Sequence, residues 1–250
     1  MGCSVLILAK NEESNIVDCI ESCRPFASEV IVIDDFSTDK TQELAEVHGA
    51  RVLKHAMNGN WGQQQNFAID SAQNEWIFFI DADERCTPAL ASEIQEKIQA
   101  APEKAYDVRR INHFDRKLVR HGPLSPDWVC RLMPKKGSSV EGFVHPKIIC
   151  SVPVHKLQKD MIHFTYKDWD HYERKMAQYS TLAAKKYYGE GKRVNSVLSV
   201  FFRSFFSFLK MYVLKAGFLD GKLGFLFSCG YARYSFDKYV KLYFLSNRGK

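Results

Sequence analysis

The first hundred residues alternate short apolar runs with longer segments in which apolar residues recur at every third or fourth position. Short apolar runs bounded by polar residues are typical of strands buried in a parallel sheet, and they are predicted here at 4–9, 29–34, 51–54 and 75–81. The helical periodicity predicts helices that begin at Glu12, at Ser37 or Thr38, at Gln63 and at Thr87-Pro88. Strands that alternate with helices predict an α/β domain with a mainly parallel sheet.

The pattern changes twice beyond this region. Between Tyr106 and Ile162 several β-like stretches are separated by glycines and prolines, which predicts mixed strands and loops. From Tyr166 onward the periodicity is helical, and the last sixty residues are rich in aromatic side chains. We therefore predict an α/β domain over residues 1–165 and a helical region over residues 166–250.

The positive charge is concentrated in the same C-terminal segment. The whole chain has a formal net charge of +6, whereas residues 191–250 alone contain eleven basic and two acidic residues, a net charge of +9. We therefore expect the C-terminal segment to contact whatever partner this positive charge attracts. Seven cysteines occur without a C-x-x-C pair, which favours reduced thiols over a disulfide framework.

Acidic residues directly follow two of the predicted strands, as Asp34-Asp35 and as Asp81-Ala82-Asp83. The carboxyl ends of strands in an open α/β sheet line the ligand crevice. Either group alone is better explained as a turn former or a helix cap, but two groups after two strands of one sheet favour a site. Carboxylate and phosphate oxygens are the ligands that Mg²⁺ and Mn²⁺ prefer, so the pattern predicts a divalent cation on a nucleotide diphosphate. The chain lacks G-x-G-x-x-G after its first strand and lacks a P-loop, which disfavours dinucleotide oxidoreductases and P-loop NTPases.

Three N-terminal segments resemble glycosyltransferase family 2, whose catalytic domain has the GT-A fold: residues 4–13, 30–41 and 76–84. The likeness is greatest to the lipopolysaccharide-core β-glucosyltransferases of bacteria. The marks of that group appear at Asp81–Pro88, Pro126–Pro134, Val144-His145, Gly217–Lys222 and Tyr234–Tyr239. The resemblance therefore runs nearly from end to end and implies a GT-A catalytic domain.

The resemblance also implies roles for individual residues. Asp35 matches the carboxylate that reads the base of the donor nucleotide, usually uracil, with Ala9 and Asn11 at the strand end beside it. Asp81 matches a ribose or nucleotide contact, and Asp83 matches the metal ligand on the diphosphate.

The reaction chemistry adds further candidates. An inverting transferase needs a base near the acceptor hydroxyl and electrostatic relief of the leaving diphosphate. We predict Asp127 as that base, with Glu141 as the rival, and Arg131 as the cation that neutralises phosphate. His145 is predicted to complete the metal shell, and His163 is a weaker candidate because a lone histidine is more often structural.

The helix predicted between Arg193 and Lys215 has one narrow polar stripe on an otherwise Val, Leu and Phe surface. The stripe consists of Ser196, Ser199, Arg203, Ser207 and Lys210. A spanning helix needs about 20 mostly apolar residues, and Arg203 falls near the middle of this one. A helix that lies in the membrane interface therefore fits better, and the alternative is a bundle packed against the catalytic domain.

Together these observations predict a metal-dependent, inverting hexosyltransferase that uses Mg²⁺ or Mn²⁺. It is expected to move glucose from UDP-glucose onto an inner-core heptose of lipopolysaccharide, a lipid-anchored acceptor. We expect a cytoplasmic protein, peripheral on the inner face of the cytoplasmic membrane, without a nucleic acid partner. Two alternatives stay open: a polyprenyl-phosphate sugar transferase, and a non-catalytic, membrane-docked protein that binds sugar nucleotides.

Overall fold

The computed structural model describes residues 2–101, 103–142 and 146–247. The strands are β1 (Cys3–Ala9), β2 (Glu29–Asp34), β3 (Arg51–Lys54), β4 (Trp76–Asp81), β5 (Glu84–Cys86), β6 (Ala105–Phe114), β7 (Lys117–Val119), β8 (Asp127–Pro134), β9 (Ser138–Glu141), β10 (Lys147–Cys150) and β11 (Val154–Tyr166). The helices are α1 (Ile16–Cys23), α2 (Thr41–Val47), α3 (Trp61–Ser71), α4 (Pro88–Lys97), α5 (Trp169–Gly189), α6 (Val197–Leu209) and α7 (Gly221–Ser246).

The chain forms two compact units. The first comprises Met1–Ile111 and Asp127–His163, and the second comprises Asn112–Pro126 and Phe164–Lys250. The longer segment of the second unit begins at Phe164, next to the predicted boundary at 165, but the unit also takes in residues 112–126, which contain β7. The assignment of catalysis to one region and membrane binding to the other stays a prediction.

The first unit is built on the main sheet, which has the strand order β3-β2-β1-β4-β8-β6-β11-β5. The three pairings among β3, β2, β1 and β4 are parallel, as the alternation of strands and helices predicts. The pairings β4–β8, β6–β8 and β11–β5 are antiparallel, in the region for which mixed strands are predicted. The predicted α/β class is confirmed.

Apolar side chains cover both faces of the central strands. Alternate residues of β1 and β4 enter two separate core clusters, one containing Val5 and Phe78 and the other containing Leu6 and Phe79. Burial on both faces is the reason that these strands appear in the sequence as continuous apolar runs. The helix α4 begins where predicted, because the Thr87 hydroxyl caps it by accepting a hydrogen bond from the Leu90 N–H at 3.1 Å.

Two predicted helix starts are wrong. Helix α1 begins at Ile16 rather than Glu12, because Asn11 has a left-handed backbone (φ 56°) and residues 12–15 form a turn. Helix α2 begins at Thr41, so neither Ser37 nor Thr38 caps it. Both residues instead hydrogen-bond to Asn11, whose N–H donates to the Ser37 hydroxyl and whose side-chain oxygen accepts from the Thr38 N–H.

The second unit is mainly helical, as predicted from Tyr166 onward. Helices α5 and α6 both pack against α7, and α6 continues into a π-helical turn over Lys210–Leu214. Aromatic side chains fill one of its cores, where Tyr166, Tyr172 and Phe227 are buried. The carboxylate of Asp220 accepts hydrogen bonds from the backbone N–H groups of Arg120 and His121.

Candidate active site

The carboxyl ends of three parallel strands bring the predicted donor-binding residues to one edge of the sheet. Ala9 at the end of β1 is in register with Asp34 of β2, and Leu8 of β1 is in register with Asp81 of β4. The Asp35 N–H extends this register by donating to the Ala9 carbonyl at 2.9 Å. Asp35, directly after β2, and Asp81, the last residue of β4, therefore lie on either side of β1, at the edge where open α/β sheets bind ligands.

Asp35 is held as a carboxylate at this edge. Lys10 Nζ lies 2.9 Å from its Oδ2, and the Met57 N–H donates to its Oδ1 at 3.0 Å. Partial burial works against ionisation, but the hydrogen bonds from Lys10 and Met57 outweigh it and lower the pKa of the Asp35 carboxyl below its ordinary value. A fixed, charged acceptor of this kind suits the N–H groups of a nucleobase.

Asn11 organises the loop beside Asp35. Its contacts with Ser37 and Thr38 tie the end of β1 to the segment that follows β2. The left-handed backbone of Asn11 is tolerated because asparagine is one of the few residues that adopt it readily. The predicted neighbours of Asp35 are thus brought together, with Asn11 acting on the loop and Ala9 acting through its backbone.

Asp81 belongs to a network of two arginines and three carboxylates: Arg110 and Arg131 with Asp81, Glu84 and Asp127. Arg131 is almost fully buried, and its Nη2 donates to Asp81 Oδ2 at 2.6 Å and to Glu84 Oε1 at 2.6 Å. Glu84 is completely buried, and its Oε2 also accepts from the backbone N–H of Asp81 at 2.9 Å. These bonds fix the position of Asp81 from both its side chain and its backbone.

The charges in this network shift one another's pKa values. Burial alone would lower the pKa of Arg131, but Asp81 and Glu84 more than offset it and raise that pKa. Partial burial of Asp81 is likewise outweighed by the charge of Arg131, which lowers the pKa of Asp81. Glu84 behaves differently: its burial raises its pKa, and the nearby Asp81 adds to the rise against the opposing effect of Arg131.

Arg110 on β6 connects this network to the predicted base. Its Nη1 donates to Glu84 Oε1 at 3.1 Å, while its Nε and Nη2 donate to the two oxygens of Asp127 at 2.9 Å and 3.0 Å. This two-pronged ion pair orients the Asp127 carboxylate at the start of β8. The rival base Glu141 is exposed at the end of β9.

Arg131 forms ion pairs with Asp81 and Glu84, which is the alternative to phosphate binding. Its role at phosphate stays a prediction.

The predicted metal residues all follow the end of β4 along the chain. Asp83 Oδ2 lies 3.6 Å from His163 Nε2, so a carboxylate and an imidazole face one another beside the strand end. His145 lies outside the described residues. Within residues 2–101, 103–142 and 146–247, His, Cys, Asp and Glu side chains form no group of three that holds a metal.

Three residues of this site are absent from the predicted set: Lys10, Glu84 and Arg110. Glu84 is part of the Asp81-Ala-Asp-Glu84 segment, so its position beside two predicted ligands was a usable signal. Arg110 lies in a strand without a motif, and only its register opposite Asp127 identifies it.

The helix α6 in the second unit exposes its apolar side. Leu198, Phe201, Phe202, Phe205 and Phe206, which we call the phenylalanine face, are each more than half exposed. Two serines of α6 face α7, because the Ser204 hydroxyl donates to the Ala232 carbonyl at 2.7 Å and the Ser207 hydroxyl lies 2.9 Å from that of Ser235. Of the predicted polar stripe only Ser207 makes such a hydrogen bond within the described residues, whereas Ser196, Arg203 and Lys210 are exposed. By length and composition alone, Val197–Leu214 is the one segment among the described residues that is long and apolar enough to cross a membrane.

Comparison with known proteins adds independent findings. The family model described as glycosyl transferase family 2 matches residues 4–213. The chain is 30% identical over 254 residues to the lipopolysaccharide core biosynthesis glycosyltransferase LpsC of Rhizobium meliloti, which covers 96% of this chain and 91% of that protein. It is 29% identical over 263 residues to an uncharacterized glycosyltransferase of Rickettsia typhi, covering 99% and 88% of the two chains.

Among solved structures, the chain is similar to glucosyl-3-phosphoglycerate synthase from Mycobacterium tuberculosis, and the match covers 45% of this chain and 44% of that chain. The identity is 24% and the TM-score is 0.38. That structure holds Mn²⁺, uridine diphosphate and glucosyl-3-phosphoglycerate.

Proposed function

Since the chain belongs to glycosyltransferase family 2, and is thus a GT-A glycosyltransferase, we propose that it transfers glucose from UDP-glucose to an inner-core heptose of lipopolysaccharide. The observation that carries the proposal is the placement of Asp35, Asp81 and Asp83 along one sheet edge, backed by the arginine network. The lipopolysaccharide core role of the Rhizobium relative, matched over 91% of its length, supports the acceptor.

Asp35 binds the uracil and Asp81 the ribose of the donor in this proposal. Arg131 and Glu84 act behind Asp81, since Arg131 donates to both carboxylates and the Asp81 N–H donates to Glu84. A carboxylate fixed in this way loses little entropy when it binds a hydroxyl, which favours a tight donor complex.

Asp83 and His163 would hold the divalent cation. One carboxylate oxygen and one imidazole nitrogen suit Mn²⁺ or Mg²⁺ when donor phosphate oxygens supply further ligands, so the residues present fit the ion. His145, outside the described residues, remains a further candidate ligand. When bound, the cation would neutralise charge that develops on the departing diphosphate.

Asp127 accepts the proton of the acceptor hydroxyl, with Arg110 holding its carboxylate in place. The hydroxyl oxygen then bonds to C1 of the glucose from the face opposite the diphosphate. The bond from C1 to the diphosphate oxygen breaks, UDP leaves and the configuration at C1 inverts.

The phenylalanine face brings the enzyme to its lipid-anchored acceptor. Full burial of a Phe side chain stabilises by about 1.5–3 kcal/mol, so four half-exposed rings have on the order of 3–6 kcal/mol to gain from insertion. Each Lys or Arg near an anionic surface adds about 1 kcal/mol. A large exposed apolar patch next to basic residues fits peripheral attachment to the cytoplasmic leaflet.

The acceptor is tested directly with radiolabelled UDP-glucose and lipopolysaccharide from a strain that stops at the inner-core heptose. We expect label in the lipopolysaccharide and a β-anomeric signal in the NMR spectrum of the released core. Label in polyprenyl phosphate instead would establish the alternative acceptor. UDP binding without either transfer or hydrolysis would overturn the catalytic proposal.

Membrane attachment is tested by replacing Phe201, Phe202, Phe205 and Phe206 with Ser. This variant should stop sedimenting with anionic vesicles even at low salt, while its UDP affinity stays unchanged. A control variant replaces Phe208 and Phe225 with Ser; the ring centroids of these two residues lie 5.9 Å apart. This control should retain more of the vesicle binding than the fourfold variant does. If the unmodified protein never sediments with vesicles, the attachment proposal is wrong.

A further inference from the structure

Three cationic side chains of the second unit converge on two tyrosine rings. Lys192 Nζ lies 4.0 Å and Lys238 Nζ 5.0 Å from the ring centroid of Tyr187. Lys238 Nζ also lies 4.6 Å, and Arg203 Cζ 4.8 Å, from the ring centroid of Tyr239. We call Lys192, Arg203 and Lys238 the tyrosine-backed cation cluster.

Lys238 is the unusual member of the cluster. It is only 9% exposed, and within the described part of the chain its ammonium group contacts the rings of Tyr187, Tyr234 and Tyr239 but has neither a hydrogen bond nor a carboxylate partner. Lysine is almost never buried without a paired anion. The tyrosine faces compensate for part of the lost hydration, since a cation–π contact contributes about 0.5–2 kcal/mol.

The other cations make the environment of Lys238 more positive. Burial lowers the pKa of Lys238, and the charges of Arg203 and Lys192 lower it further. Among the described residues, Glu190 is the carboxylate that forms an ion pair with a member of the cluster: it lies 2.8 Å from Lys192, on the exposed side, and 4.0 Å from Lys186. Three cations against one carboxylate leave an excess of about two positive charges, which a dianion would balance.

The dimensions of the cluster suit a phosphate group. Lys192 and Lys238 share one ring, which limits their separation to about 9 Å, and Arg203 and Lys238 share the other, which limits theirs to about 9.4 Å. Charge-assisted N–H···O bonds of about 2.8 Å on opposite oxygens let one phosphate bridge cations roughly 8 Å apart. A phosphate monoester also carries the required charge, about −1.5 to −2 at neutral pH.

The cluster adjoins the surface proposed to enter the membrane. Arg203 is exposed between Phe202 and Phe205 on α6, and the ring of Phe201 packs against Phe236 of α7 at 5.4 Å, two residues from Lys238. We propose that the tyrosine-backed cation cluster binds the phosphate monoester headgroup of a membrane lipid. The inference rests on the membrane attachment proposed above and adds a specific headgroup to it.

The proposal is tested with phosphatidylcholine vesicles that contain either phosphatidic acid, a monoester, or phosphatidylglycerol, a diester, adjusted to equal surface charge. The full-length protein should bind the phosphatidic acid vesicles roughly tenfold more tightly, because additional charge-assisted hydrogen bonds form only there. Lys238→Met should abolish this preference, while Lys238→Arg should retain most of it.

Lys210→Met is the matched control, since it removes one exposed positive charge from the same unit. It should weaken binding to both vesicle types by about fivefold and leave their ratio unchanged. If Lys238→Met behaves like this control, or if the unmodified protein does not distinguish the two vesicle types, the proposed headgroup site is wrong. The proposal that the protein attaches to membranes would still stand. Absence of binding to either vesicle removes both proposals.

A measurement on the unmodified protein avoids any effect of substitution on folding. Acetylation of lysines, followed by mass spectrometry, should show Lys238 protected by phosphatidic acid vesicles more than by phosphatidylglycerol vesicles. Equal protection by the two vesicles would overturn the proposal. Full protection by inorganic phosphate alone would assign the site to a soluble anion and overturn the lipid assignment.

Discussion

Replacing Arg131 with Met tests the arginine network most directly. Arg131 is 6% exposed and contacts two carboxylates, Asp81 and Glu84. Methionine fills a similar volume without a charge, so the variant removes the ion pairs while it leaves the core around β8 occupied. Glu84 has no exposed surface, and within the described residues its side chain then keeps two hydrogen bonds, from Arg110 at 3.1 Å and from the N–H of Asp81 at 2.9 Å.

The expected loss of stability is large because a buried charge is left incompletely paired. Removal of one partner from a buried ion pair costs about 3–5 kcal/mol. The remaining contact of Glu84 with Arg110 places the expected loss near the lower end, about 3 kcal/mol. Adding Glu84→Gln should recover about half of the loss or more, since the uncompensated charge is then gone.

The loss of stability within the first unit is measured by urea denaturation, with hydrogen exchange of the β4 amides as the readout. Arg109→Met is the control, because Arg109 forms an ion pair with Asp160 at the surface and should cost less than about 1 kcal/mol. Calorimetry should also show weaker UDP binding by Arg131→Met, and by the double variant, because Asp81 has lost its side-chain partner. An Arg131→Met variant as stable as the Arg109 control would refute the reasoning.

The same variant predicts a pH dependence with a definite sign. The pKa of Glu84 is raised in the folded protein by burial, and Arg131 opposes that rise. The folded state therefore binds more protons than the unfolded state between the two pKa values, and its stability falls as pH rises through that window. Without Arg131 the pKa of Glu84 in the folded state rises further. The loss of stability caused by Arg131→Met should therefore shrink at pH values below the ordinary pKa of Glu and grow above it.

The remaining predictions concern the donor, the metal and the base. Asp35→Ala should weaken UDP binding by at least tenfold while the urea midpoint changes little, and unchanged UDP affinity by calorimetry would remove the base-reading role. Asp83→Ala should abolish most turnover and the Mn²⁺ or Mg²⁺ dependence of UDP binding; full turnover in excess chelator would contradict this prediction. Asp127→Asn should keep UDP-glucose affinity and lower kcat by roughly 10²-fold or more. Near-normal kcat would favour Glu141 or a phosphate acceptor.

The sequence was most informative where one local pattern determines one element. The strands β1, β2, β3 and β4 lie within a residue of their predicted bounds, because burial on both faces leaves a continuous apolar run. The starts of α1 and α2 were harder to predict from the sequence. They depend on Asn11, whose contacts with Ser37 and Thr38 join residues 26 and 27 positions apart, and no local periodicity records such a contact.

The candidate site shows the same division. Acidic residues at strand ends are visible in the sequence, so Asp35, Asp81 and Asp83 could be named before the structure. Arg110 could not, because it meets Asp127 across an antiparallel pair and Glu84 across 26 residues. Pairing partners of buried charges depend on tertiary register, which a single sequence does not determine.

The orientation of α6 is a property that periodicity alone cannot supply. The spacing of its polar residues establishes a narrow stripe, yet a stripe can face water or face a neighbouring helix. The neighbour decides for two serines: Ala232 and Ser235 of α7 offer an acceptor and a hydroxyl to Ser204 and Ser207, which therefore turn inward. Arg203 and Lys210 of the stripe stay exposed. A bundle made for water alone would place the rings inside and the serines outside. An α6 arranged the other way round leaves the phenylalanine face in water unless an apolar phase covers it, which is the physical reason to test vesicles before testing protein partners.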